Sequence, residues 1–287
     1  MALGFSELEL GFHTTMQQVP GFKAMLDRIP VGSVHAFCPV PLSAPQGYPE
    51  LYQLATRDEE GRKMAVLQVL RNIAFAEEMG ADTVVLHAGR VPFGRIFDRI
   101  DSGTLRDVLE KNGNKTDAAP YRKVLARAMK RRAARGKKLL DGFRRTLGEL
   151  VPELEKRHVT LALENLPYLE GFPSEWELMS LLSSDLSGAP VKGWFDTGHD
   201  RVRRMHDWGK VTWDNPAAVA SSFFAGMHLN DVDDFYDDHK APGEGKVDFA
   251  ALKPFAENVR HVVFEPSQDV SEERLERSVL NLHALWN

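Results

Sequence analysis

The sequence predicts an α/β protein folded as one TIM-type (β/α) barrel, and three observations carry that expectation. Short apolar runs alternate with helical stretches along the 287-residue chain, the pattern of repeated β-α-β units around a parallel sheet. No break in composition divides the chain, and a barrel of about 250 residues is an ordinary single domain. Six apolar runs end at a histidine or a carboxylate: His35, His87, Glu164, Asp196, His228 and Glu265. Right-handed crossovers repeated this often close the sheet, and all strand ends then face one mouth.

Taken in order, Met1 to Gly4 reads as a short helical remnant, and Ser6 to Phe12 alternates polar and apolar positions as a strand does. Gln17 to Arg28 is a short helix stopped before Pro30. Val31 to Phe37 is a second strand, followed by a loop broken by Pro39, Pro41, Pro45 and Pro49. Thr56 with Glu59 forms a capping box for a helix that runs to Gly80, a natural C-cap. Thr83 to Leu86 is a buried strand ending at His87.

Residues 90 to 119 are polar, glycine-rich and unpatterned, as in an insertion or lid at an active site. Pro120 then opens a long helix with Val124, Leu125, Met129, Leu139, Phe143, Leu147, Leu150 and Leu154 on one face. Its other face holds Lys130, Arg131, Arg132, Arg135, Lys137, Lys138, Arg144 and Arg145. A solvated charged face is the expected role of that stripe, ahead of a phosphate or partner patch. Val159 to Leu163, Val191 to Phe195, Phe223 to Met227 and His261 to Phe264 complete seven strands. Ser174 with Glu177, and Ser271, cap the helices after two of them.

Composition narrows the class without choosing the reaction. Hydrophobic residues at 43% and charged residues at 27% are those of an ordinary globular domain. A net charge of −5 and a pI near 6.1 give no global attraction to nucleic acid or anionic membranes. The lone Cys38 excludes an intramolecular disulfide and suits a reducing cytoplasm. No apolar run approaches the roughly 18 residues of a membrane span, and no signal peptide is recognised.

A single strand-end histidine is more often a hydrogen-bonded structural residue than a ligand, and a loop carboxylate is usually just solvated. Six such ends together point to metal. Glu164, Asp196, His228 and Glu265 form a four-ligand set of three carboxylates and one imidazole, suited to Zn, Mn, Mg, Co or Fe(II). His35 and His87 extend it on one side, and His199, Asp237 and His239 on the other. Nine candidate ligands are enough for one to three ions. His13, His158, His206, His261 and His283 lack such company and are expected to be structural or exposed.

The segments Glu164-Asn165, Asp196-Thr197-Gly198-His199, His228-Leu229-Asn230-Asp231, and Asp237-Asp238-His239 ahead of Gly243-Glu244-Gly245 resemble the xylose isomerase-like TIM-barrel superfamily. That superfamily includes sugar and sugar-phosphate isomerases and epimerases and the endonuclease IV nucleases (AP endonuclease family 2). The resemblance spans Gly4-Phe5 to Glu265. It implies a divalent-metal site with Glu164, Asp196, His228 and Glu265 as shared ligands, and it matches all nine ligand positions of the trinuclear zinc nucleases. Two departures are visible. Phe37-Cys38-Pro39 stands where those nucleases carry an aromatic wedge, and Asp234 stands where ketose 3-epimerases carry an arginine. The family also has a strand ahead of the Gly-Phe-x-x-x-Glu-Leu element, so the barrel is expected to lack the usual first strand or to close in an unusual way.

These features predict a divalent-metal-dependent, cytoplasmic isomerase or epimerase acting on a sugar, sugar phosphate or related polyol. Its proton transfer would run next to a metal-bound carbonyl, with Glu164 and Glu265 as acid and base. An endonuclease IV-like zinc phosphodiesterase acting on abasic DNA is the alternative, and a non-catalytic metal-binding barrel a third. Exposed strand edges add an expectation of pairing between subunits in a homo-oligomer.

Overall fold

The structure, a computed structural model, describes residues 3–93, 100–209 and 215–287. Seven strands form one parallel sheet in sequential order: β1 (Leu8–Leu10), β2 (Val31–His35), β3 (Thr83–Leu86), β4 (Thr160–Glu164), β5 (Val191–Asp196), β6 (Phe224–Leu229) and β7 (His261–Phe264). Around it lie α1 (Val19–Lys23), α2 (Glu59–Met79), α3 (Ser102–Lys111), α4 (Ala119–Arg157), α5 (Glu175–Ser183), α6 (Thr197–Met205), α7 (Pro216–Phe223), α8 (Phe249–Ala256) and α9 (Glu272–Trp286). The sheet curls into a nearly closed barrel. The seven expected strands are all present, and no further strand precedes β1 among the described residues.

Strand periodicity of two decides what the barrel encloses. Two residues before the candidate ligands of β2 to β7 stand Ser33, Val85, Ala162, Trp194, Gly226 and Val263. Val85, Ala162 and Trp194 pack together there with Val263, forming an apolar floor beneath the mouth. Gly226 is small for a definite reason: a Cβ at that position would collide with the Trp194 ring. Outside the sheet, α2 and α4 cover β2 to β5 through residues such as Val69, Ile73, Phe143 and Leu147. Phe195, Phe224, Phe249 and Phe255 make the core on the opposite side.

No ladder joins β7 to β1 among the described residues. Side chains span the seam instead. Glu7 accepts from Arg260 at 3.0 Å and lies 3.1 Å from His261 Nδ1, whose Nε2 lies 2.7 Å from Asp82. Phe5 meets Phe264 edge-on at 5.4 Å. A cavity of about 1350 Å³ follows this seam, lined by Phe5, Glu9, Val263 and Leu282 and reaching Glu265 and His239 at the mouth.

Several local expectations are corrected. Asp58, not Thr56, caps α2, accepting from Gly61 N at 3.1 Å, while the Thr56 hydroxyl accepts from Asp58 N. The first helix is only Val19–Lys23, with Pro20 in its first turn, and residues 24–28 continue as tighter turns with bonds such as Met25 N to Phe22 O and Arg28 N to Met25 O. Gly4 has φ +83°, outside any helix, and Met1 and Ala2 lie outside the described residues. Within the stretch expected to be unpatterned, α3 forms behind an Asp101 cap and buries Leu105 and Leu109 against Tyr121 and Leu125 of α4; residues 94–99 lie outside the description. On the basic face of α4, Arg132 is a buried strut rather than a solvated charge. It donates to Glu177 and to the carbonyls of Leu169 and Gly171.

His206 is structural, as expected. It is fully buried, stacks on Trp208 at 4.0 Å and donates through Nε2 to the Phe235 carbonyl at 2.8 Å. Burial, with Arg106 nearby, pushes its pKa down to about 4. A histidine depressed in the folded state contributes stability that is complete above the unfolded value near 6.5 and is lost as pH falls toward 4. The contribution is about 3 kcal/mol at full extent. Thermal melts from pH 7.5 to 4.5 should therefore show a flatter acid limb for His206→Gln than for the parent chain; identical limbs would contradict this account.

Candidate metal centre

The nine sequence-predicted ligands all reach the mouth. His35 closes β2, Glu164 closes β4, Asp196 closes β5, and His228 sits one residue from the end of β6. His87 and Glu265 directly follow β3 and β7. Asp196 and His228 are partners in the β5–β6 register, which sets them side by side. His199 joins them because Asp196 is also the N-cap of α6: its carboxylate accepts from His199 N at 2.7 Å, turning the His199 ring inward.

Their atoms form four groups, three of them overlapping, each with its ligand atoms within 4.8 Å of one another. In the first, His35 Nε2 and His87 Nε2 lie 3.1 and 3.2 Å from the same Glu164 oxygen. The second comprises Glu164, Asp196, His228 and Glu265. His228 Nδ1 stands 3.1 Å from Glu265, 3.5 Å from Glu164 and 3.8 Å from Asp196. The third joins His35 to His228 and Glu265, and in the fourth Asp237 is 3.2 Å from His199 Nε2 and 3.3 Å from His239 Nε2. Glu164 belongs to the first two groups and touches His199 Nδ1 at 3.2 Å, so it stands at the centre of the constellation.

Electrostatics follow from this crowding. Burial works to raise the pKa of Glu164, but His87 and His228 outweigh it and hold the carboxyl well below its usual range. Glu265 goes the other way: burial and the neighbouring Glu164 charge raise it. His199 and His228 are lowered by burial but raised far more by the carboxylates around them. His239 is pushed up to about 10, with Asp237 overcoming its burial. Carboxylates and imidazoles are thus interleaved at the mouth, a mixture of groups that could share a divalent ion.

The donor set fits a divalent ion. His228 Nδ1 is buried without a hydrogen-bond partner and faces three carboxylates. Imidazole and carboxylate donors suit borderline and hard ions such as Zn, Mn, Co and Mg, which polarise oxygens and acidify water.

The motif residues outside the candidate ligand cluster hold those within it. Asn165 clamps the ends of β4 and β5, accepting from Asp196 N at 2.7 Å and donating to Asp196 O at 3.0 Å. Asn230 donates to the Asp196 carboxylate at 2.6 Å, and Gly198 leaves room for it, since a Cβ there would overlap the Asn230 amide oxygen. Asp231 accepts from the backbone of Gly243, Gly245 and Val247, which folds the Gly-Glu-Gly turn back and returns Asp237 and His239 to the mouth.

Sequence reasoning missed two carboxylates. Glu9 of β1 lies 2.8 Å from His228 Nε2, and Glu50 accepts a fork from Arg90 while approaching His87 Nδ1 at 3.8 Å. For Glu9 a signal existed, because the alternation of Ser6 to Phe12 puts Glu7 and Glu9 on one face of the strand. Glu50 sits in the proline-broken loop, where no periodicity announces it.

A (β/α) barrel with an imidazole–carboxylate cluster at the C-terminal ends of its strands is the class of protein this fold and site define. The chain belongs to the xylose isomerase-like TIM barrel family, whose model matches residues 2–260. Three solved structures share the fold. The 3-keto-D-glucoside 4-epimerase YcjR from E. coli superimposes with a TM-score of 0.60 at 16% identity, covering 99% of this chain and 90% of that one. The TTHB071 protein from Thermus thermophilus, soaked with ZnCl2, gives 0.56 at 22% identity over 97% and 96%. The IOLI protein with a binding zinc atom gives 0.60 at 14% identity over 98% and 87%. No curated protein matches the chain.

Proposed function

We propose that the chain is a divalent-metal-dependent isomerase or epimerase acting on a sugar, sugar phosphate or related polyol. One observation carries this reading: the four-group cluster of Glu164, Asp196, His228 and Glu265 borders a large cavity through Glu265, whose side chain keeps 27% of its surface accessible. A small polyol entering there meets a carboxylate able to take a proton from carbon, with a ligand set for an ion behind it. The ion would be held by those four groups and would stabilise negative charge developing on adjacent substrate oxygens. Glu265 moves the proton on the open side, and the enclosed Glu164 answers from the opposite side. The epimerases among the solved structures of the same fold support this choice of substrate class.

A second reading has its own support. The nine candidate ligands form four groups, three of which share members, and that many donors would suit several zinc ions and phosphodiester hydrolysis at abasic DNA. Metal content of protein purified without chelator, combined with two assays, decides between them. The expected result is metal-dependent incorporation of deuterium from D2O into members of a panel of ketoses, aldoses and their phosphates, abolished by EDTA and restored by Mn, Co or Zn. Three zinc ions per chain with cleavage of an abasic-site duplex and no exchange would replace the first reading by the second. A filled site with neither reaction would make the chain a metal-binding barrel.

A further inference from the structure

We propose that Glu9 is a positioning residue, which fixes the His228 imidazole in the tautomer whose Nδ1 faces the four-group cluster, and that Ser33 holds Glu9 for that task. The inference rests on the metal-centre reading and concerns a residue outside the nine ligands. Both Glu9 oxygens are engaged: Oε1 lies 2.8 Å from His228 Nε2, and Oε2 accepts from the Ser33 hydroxyl at 2.6 Å. An ionised carboxylate only accepts, so the proton at this contact sits on Nε2. The neutral ring then carries its lone pair on Nδ1, the nitrogen 3.1 Å from Glu265 and buried without a hydrogen-bond partner. That is the form a metal takes from histidine. The ring plane is held independently, parallel to His35 at 5.7 Å and edge-on to Trp194 at 5.0 Å.

Without Glu9 the alternative tautomer becomes favourable. A proton on Nδ1 would point at Glu265, 3.1 Å away, and would withdraw the nitrogen lone pair and a carboxylate oxygen from the ion together. Glu9 thus selects for metal by making the competing internal hydrogen bond unavailable. It comes from β1 and its target from β6, so the contact reaches past β7 and ties the two sides of the seam.

The test uses the full chain with Glu9→Ala, Glu9→Gln and Ser33→Ala. Zinc dissociation constants are measured by competition with a chromophoric chelator, and the protonated nitrogen of His228 is located by 15N spectroscopy of the zinc-loaded protein. Glu9→Ala should weaken zinc by about 10- to 100-fold, the usual effect of losing a partner behind a ligand. Glu9→Gln should stay within about 5-fold, because its amide oxygen accepts the same bond. Ser33→Ala should lose about 2- to 5-fold in the same direction. The proton should sit on Nε2 in the parent and Gln proteins. Unchanged affinity in Glu9→Ala, equal losses for Ala and Gln, or a proton on Nδ1 in the parent would each overturn the proposal. A merely structural Glu9 would lower the melting temperature and leave affinity and proton position alone. Should Glu9→Ala fail to fold, Ser33→Ala and the parent spectrum decide. A parent chain that binds no zinc, manganese or cobalt would instead sink the metal-centre reading and this inference with it, an outcome distinct from a parent that binds and an alanine variant that binds equally well.

Discussion

Glu164→Gln is expected to empty more of the metal centre than any other single substitution. The side chain belongs to two of the four candidate ligand groups and approaches His35, His87, His199 and His228, all within 3.5 Å. Glutamine keeps the shape but removes the charge that balances these imidazoles. It also places an NH2 where one carboxylate oxygen now faces two ring nitrogens. The loss of metal should exceed the roughly 10- to 100-fold typical of residues that only support a ligand, and metal-dependent turnover should vanish with it. Inductively coupled plasma mass spectrometry after dialysis measures the first and proton exchange the second. Glu164→Gln protein that retains the full complement of metal would refute the shared-ligand role.

The second large effect is on stability. Trp194 is wholly buried and fills the barrel beneath the candidate ligand cluster, packed against Val85, Ala162 and His228. Gly226 has already given up its side chain to admit the ring, so nothing nearby can expand into the space that Trp194→Ala leaves. A cost of about 3 to 5 kcal/mol follows from lost burial plus a cavity that cannot collapse. Urea denaturation monitored by far-UV circular dichroism should show the midpoint fall with little change in slope. A shift under about 1 kcal/mol would mean that the floor relaxes. The same substitution should loosen His228, so metal affinity is expected to fall alongside stability.

Much of the fold was legible because barrels write themselves in repeats. Each apolar run that ends at a ligand is a strand whose exit faces the mouth, and this singles out His35, Glu164, Asp196 and His228 from residue order alone. Less legible were features set by contacts between distant segments. The helix α3 has a capping aspartate and a sound apolar stripe, but glycine and charge around it masked the pattern. Arg132 looks like its exposed neighbours on α4 until Glu177 of another helix is brought against it. Glu9 looks like an ordinary polar position of an alternating strand, and only the curl of the sheet turns it toward His228. The ligand sphere was written in residue types, whereas its support was written in three-dimensional neighbours.

The unlaced border between the first and last strands would give a bound ion a mechanical part as well as a chemical one. Glu9 stands on one margin, Glu265 directly beyond the other, and His228 touches both. A cation held by His228 and Glu265 would therefore act as a clasp on a hoop that backbone bonding leaves open. By reciprocity, the free energy with which the clasp stiffens the hoop is the same free energy with which a pre-stiffened hoop tightens its grip on the ion.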